Sequence, residues 1–168
     1  ENSVFQGYFR AQNVKSVGQY SFTNSKFIGN LNLPKCEQIG GYAFAYSKFT
    51  GNFYAPKCTV IGDHAFKNSK FTGSLNLPAC EYIGVNAFFN SNFSGSLNLP
   101  VCTILLHNAF FNSNFSGELY IPKCVYIYPY VFFNSNFTQI TIGANVGLEE
   151  GCIGAHSTEF IADYAANN

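Results

Sequence analysis

Five cysteines, Cys36, Cys58, Cys80, Cys102 and Cys124, follow one another at intervals of 22 residues, and a sixth, Cys152, stands apart. Thiols so regularly spaced suggest either disulfide pairing or metal coordination. If residues 22 apart lie over one another on successive strands, their backbones are about 4.8 Å apart, within the separation a disulfide spans. Side chains stacked in one inward column all point the same way, however, which suits a bridge poorly. Val14 and Val146 fall in the same column, and a position that accepts valine or cysteine is a core position for a small hydrophobe. Free, buried thiols are therefore expected. Structural zinc needs closely spaced cysteine pairs or histidine partners, and the sequence offers neither.

The remaining reactive residue types are scattered. His64, His107 and His156 fall in different columns or turns, so neither a catalytic triad nor a metal cluster is expected from them. No nucleophile–base pair or carboxylate pair stands out from the repeat background. The expectation is a protein that is not an enzyme and holds no cofactor or metal. Gly18, Gly40, Gly62 and Gly84 each follow an isoleucine or valine. They do not make a phosphate loop and are expected at tight turns that require positive φ.

The same interval governs the elements that must carry these residues. Pro34, Pro56, Pro78, Pro100 and Pro122 recur every 22 residues, as do phenylalanine columns running from Phe27 to Phe137 and from Phe22 to Phe132, and serines from Ser3 to Ser135. The unit reads N-S-x-F-x-G-x-L-x-L-P-x-C-x-x-I-G-x-x-A-F-x. Its F-x-G-x-L-x-L stretch alternates apolar and polar residues, the two-residue period of a half-buried strand, and the proline ends it by removing a ladder donor. The following I-G-x-x-A-F-x-N-S stretch is too short for a full helix and predicts an irregular or 3₁₀ return segment. One such unit cannot bury its own apolar side; stacking the units closes a continuous core.

The expected organisation is an array of six to seven 22-residue turns over 1–142, already in register at Asn2-Ser3-Val4-Phe5 and so starting mid-array. Residues 143–168, which lose the repeat, are expected to form a C-terminal cap or linker, with a short helix capped by Ser157 and packed through Phe160 and Tyr164.

The unit resembles the BspA-like, or Treponema pallidum-type, leucine-rich repeats of bacterial surface proteins and some parasitic protists. The residues that carry the likeness are Leu75-Asn76-Leu77-Pro78 followed by Ile83-Gly84-Val85-Asn86-Ala87-Phe88. The period of 22 is one shorter than is common in that family, and cysteine stands where valine is frequent. The resemblance implies an α/β-type leucine-rich-repeat solenoid: a right-handed coil with a parallel sheet on its concave face and short irregular or 3₁₀ segments on the other. It also implies secretion, a cell-surface location and adhesion to a protein or glycan on host or neighbouring cells.

If the leucines of L-x-L face inward, the residues between them build the sheet surface. Turn by turn these are Tyr8 and Arg10, Asn30 and Asn32, Asn52 and Tyr54, Ser74 and Asn76, Ser96 and Asn98, Glu118 and Tyr120. Tyrosine, asparagine and serine on a rigid scaffold supply aromatic area and adaptable hydrogen bonds, as antibody paratopes do. The same residues would also simply solvate a sheet face, so a structural spacer is the competing expectation. Lys26, Lys48 and Lys70 form a stacked column continued by Asn92, Asn114 and Asn136, either a basic stripe or a solvating edge.

Bulk composition narrows the classes further. The 168 residues fit one domain, and nine basic residues balance nine acidic ones. A neutral chain lacks the positive field that nucleic acids or anionic membranes normally attract. No run of 18 apolar residues predicts a membrane-spanning helix. With neither an initiator methionine nor a signal-peptide pattern, the sequence reads as a processed form or an excised piece.

Overall fold

The computed structural model describes residues 6–154, and in it the 22-residue period becomes one turn of a parallel β-solenoid. Leu75, Leu97 and Leu119 are partners on adjacent parallel strands, as are Asn76, Asn98 and Tyr120. Three pairings depart from that register. Gln6 lies beside Lys26, two residues short of the period. Glu118 lies beside Gln139 and Tyr126 beside Gly147, because the last turn is one residue shorter.

The first ladder comes in three pieces, the second and third at the expected L-x-L positions and the first just ahead of them. Gln6–Tyr8 pairs with Lys26–Ile28, and Leu31–Asn32 with Phe53–Tyr54. The third piece joins Leu75–Asn76, Leu97–Asn98, Glu118–Ile121 and Gln139–Ile142. The break between Phe53–Tyr54 and Leu75–Asn76 falls where Phe53 and Ala55 replace the paired leucines of neighbouring turns. The Phe53 ring reaches 4.7 Å from Phe66 and 5.6 Å from Phe71. Ala55 supplies the space that the larger ring takes.

The longest sheet is one the sequence pattern did not suggest. Ser16–Val17, Gln38–Ile39, Val60–Ile61, Tyr82–Ile83, Ile104–Leu105, Tyr126–Ile127 and Gly147–Leu148 form an unbroken seven-stranded parallel ladder. Each strand is only two residues long. The ladder continues past residue 142, and Val146, Cys152 and Ile153 join the buried core.

The α/β description with 3₁₀ return segments is therefore corrected: among the described residues there is no α- or 3₁₀-helix. The reason lies in where the backbone hydrogen bonds go. In the return segment Ala43 and Ala45 close tight turns to Gly40 and Tyr42, both at 3.2 Å. The alternating amides of Tyr42, Phe44 and Tyr46 instead donate to Asp63, Ala65 and Lys67 of the next turn, at 2.9, 2.8 and 2.7 Å. Half the donors thus stitch turns together, which a helix cannot allow. Positive φ at residues four apart, such as Tyr42 and Tyr46 or Asn86 and Asn90, sets this alternation. Asparagine tolerates that conformation better than tyrosine.

The expected role of the glycines is also corrected. Positive φ falls at Tyr20, Tyr42, His64 and Asn86, two residues beyond Gly18, Gly40, Gly62 and Gly84, none of which has it. These glycines serve close approach instead. A Cβ on Gly62 would lie 2.7 Å from the Gly41 nitrogen, and one on Gly84 would lie 2.6 Å from the Asp63 nitrogen. Gly62→Ala should therefore destabilise the fold by about 1–3 kcal/mol, the usual cost of overpacking. Urea denaturation checks this, and a loss below about 0.5 kcal/mol would mean the turns separate easily.

Aromatic rings fill the core between the ladders. Phe44, Phe66, Phe88, Phe110 and Phe132 stack with centroids 5.1–5.6 Å apart, and Phe49, Phe71, Phe93, Phe115 and Phe137 stack at 5.6–5.8 Å. Within each turn the two columns meet edge to face, as Phe66 and Phe71 do at 5.7 Å, a geometry rings favour. The predicted C-terminal helix and the unit at residues 2–5 lie outside the described residues.

Candidate binding surface

Every predicted surface residue lies on the outer side of the first ladder, and none is buried. The strand alternation is responsible: Leu31, Leu75, Leu97 and Leu119 are fully buried, and their neighbours point outward. From the second turn on, the surface has two parallel files, Asn30, Asn52, Ser74, Ser96 and Glu118, and Asn32, Tyr54, Asn76, Asn98 and Tyr120. Tyr8, expected beside Asn30, lies beside Ile28 because the first strand pairs two residues out of the period.

The files differ in how much side-chain chemistry remains available. Asn30 Oδ1 accepts the Asn52 backbone N–H at 2.8 Å. Ser74 and Ser96 Oγ accept those of Ser96 and Glu118, each at 3.0 Å. Asn98 Nδ2 donates to Asn76 Oδ1 at 2.9 Å. These bonds run from turn to turn, so the middle of the surface is committed to holding the solenoid together. Tyr8, Tyr54 and Tyr120 stand out from it, 75%, 53% and 38% exposed. Tyr8, Arg10, Asn30 and Asn32 also line an open depression of about 440 Å³.

Two further surfaces escaped the sequence reading. Val60, Tyr82, Ile104 and Tyr126 form an outward apolar file on the second ladder, where the Tyr126 hydroxyl donates to the Glu149 carboxylate. Phe89, Phe111 and Phe133 stack outside the core at 5.0 and 4.7 Å, with the Lys67 ammonium 5.3 Å from the Phe89 ring centre. The doubled phenylalanines at 88–89, 110–111 and 132–133 were the available signal, since the core needs only the first of each pair.

The groups considered for chemistry are packed into the repeat. All six cysteines are free and buried. In the ladder each thiol donates to the carbonyl two residues on, from Cys36 to Gln38 at 3.2 Å through Cys124 to Tyr126 at 3.4 Å. Burial raises all their pKa values above 9.0. His64 stacks on Tyr42 with centroids 4.4 Å apart, and burial, followed by the charge of Lys67, lowers its pKa. His107 packs against Tyr128 at 4.6 Å; His156 lies outside the described residues. Among the described residues no three His, Cys, Asp or Glu side chains gather in a group suited to a metal, and no helix is long and apolar enough to cross a membrane.

The parallel ladders, the leucine columns and the fixed 22-residue turn define a leucine-rich-repeat solenoid. The sequence profile of the BspA type leucine rich repeat region matches in six copies, over residues 8–116 and 37–153; the chain belongs to that family. Comparison with curated proteins and with solved structures finds no match.

Proposed function

We propose that the chain is a non-catalytic extracellular binding module, secreted or held at a cell surface, whose first-ladder face engages a protein or glycan on host or neighbouring cells. The observation that carries this reading is the exposure of Tyr8, Tyr54 and Tyr120 on a face whose central polar groups are hydrogen-bonded from turn to turn. Broad aromatic rings on a rigid support bind at low entropic cost. The alternative is a structural spacer, favoured by the hydrogen-bonded files over Ser74, Asn76, Ser96 and Asn98.

Alanine at Tyr54 and Tyr120 separates the two. If the face binds, each replacement should weaken adhesion to matrix proteins or cells by about 1 kcal/mol or more, the threshold of a hot spot. Adhesion unchanged in both variants would leave only the spacer.

A further inference from the structure

The neutral total conceals a division along the solenoid. Residues 6–75 contain eight lysines and arginines against two acidic residues, whereas residues 76–154 contain one lysine against four glutamates. Four of the cations, Arg10, Lys26, Lys48 and Lys70, belong to the face that carries Tyr8 and Tyr54. The column of Lys26 continues the outward alternation of Ile28, Asn30 and Asn32, since Phe27, Leu31 and Leu33 between them are buried. Three ammonium groups therefore recur once per turn, about 4.8 Å apart at the backbone, along one margin of that face. All three residues are exposed, and none of the ammonium groups has an ion pair or hydrogen bond among the described residues.

The repeat supplies its own control. Asn92, Asn114 and Asn136 occupy the same column, equally exposed, in turns with the same core. The fold thus does not require a cation here, and stacked like charges repel one another.

We propose that the N-terminal half of this face binds an acidic polysaccharide, a linear glycan bearing carboxylate or sulfate groups. The lysine file and Arg10 meet the anionic groups, Tyr8 and Tyr54 offer ring faces to the sugars, and Asn32 and Asn52 meet their hydroxyls. Asn32 and Tyr54 are strand partners, and Arg10 lines one depression with Asn30 and Asn32. Lys48 stands six residues before Tyr54, no more than about 20 Å of extended chain, room for several sugars. Single-file cations on a neutral chain suit a glycan of moderate charge density better than the closely spaced phosphates of a nucleic acid. This assignment rests on the reading of the face as a binding surface and narrows its ligand.

The test is retention of the 168-residue chain on immobilised polygalacturonate and dextran sulfate, with neutral dextran, single-stranded oligo-dT and poly-glutamate alongside. The two acidic polysaccharides should retain the chain, and retention should weaken as salt rises. The triple variant K26N/K48N/K70N, built from the residue that later turns already carry, should keep its melting temperature and bind at least about tenfold more weakly. Failure of both polysaccharides, unchanged binding by the triple variant, or equally tight binding of oligo-dT or poly-glutamate would each overturn the assignment. If the polysaccharides fail but Tyr54→Ala still reduces cell adhesion, the broader binding role stands and only the ligand class falls.

Discussion

Replacing Phe66 with alanine is expected to destabilise the solenoid by about 3–5 kcal/mol, the range for deleting a buried phenylalanine. The ring is fully buried and touches both neighbours in its own column, Phe44 at 5.4 Å and Phe88 at 5.1 Å. It also meets Phe53 at 4.7 Å and Phe71 edge-on at 5.7 Å. Its removal opens a cavity that rings held in two crossed stacks cannot collapse to fill. Because a solenoid's stability is a sum of turn and neighbour terms, loss at an interior turn also weakens the coupling between the segments on either side. Urea unfolding followed by circular dichroism should show a lower midpoint and a broader transition. Phe111→Ala, in the partly exposed outer stack, should cost far less. Similar losses for the two would contradict the assignment of the inner columns as the core.

The second large effect is loss of stability in alkali. Burial, reinforced by the neighbouring thiol in the column, pushes Cys58 and Cys102 up to about 12, and burial pushes Cys124 and Cys152 up to about 11. Cys80 rises further, and Cys36 rises as well. Below pH 9 the thiols are protonated in both folded and unfolded chains, so their contribution to stability is fully present. Above pH 9 the unfolded chain ionises and the folded chain does not. Stability therefore falls as pH climbs from 9 towards the folded values, by up to about 1.4 kcal/mol per pH unit for each thiol. Together the six amount to several kcal/mol per unit, enough to unfold an ordinary domain by about pH 10–11.

The control for that effect is C58V/C80V/C102V, since Val146 already fills the column as a buried residue. The triple variant should unfold at a distinctly higher pH, whereas an unchanged alkaline midpoint would show that tyrosine or lysine titration governs the transition. Labelling with a thiol reagent at pH 8 should be slow in the folded wild type and rapid in urea, with no reductant required.

The repeat, the inward columns and the outward face were legible in the amino-acid order because one period of the sequence is one turn of the structure. Residues 22 apart meet directly, so Phe71 and Phe93 stack at 5.8 Å and Leu75 and Leu77 are buried. The alternation over Leu75–Asn76–Leu77 was long enough to mark a strand.

The second ladder left no such mark. Its two-residue strands carry no period, and they become a sheet only by pairing with the equivalent segments of the turns above and below. The same cause hid the glycines' role, since the atom that excludes a side chain at Gly62 belongs to Gly41 of the turn before. It also hid which asparagines and serines on the outward face are committed to the framework and which tyrosines stand free of it. Local sequence thus determined which residues share a column and which face inward. Contacts between turns decided what each column does, because hydrogen bonds and close approaches between residues 22 apart exist only once the turns are stacked.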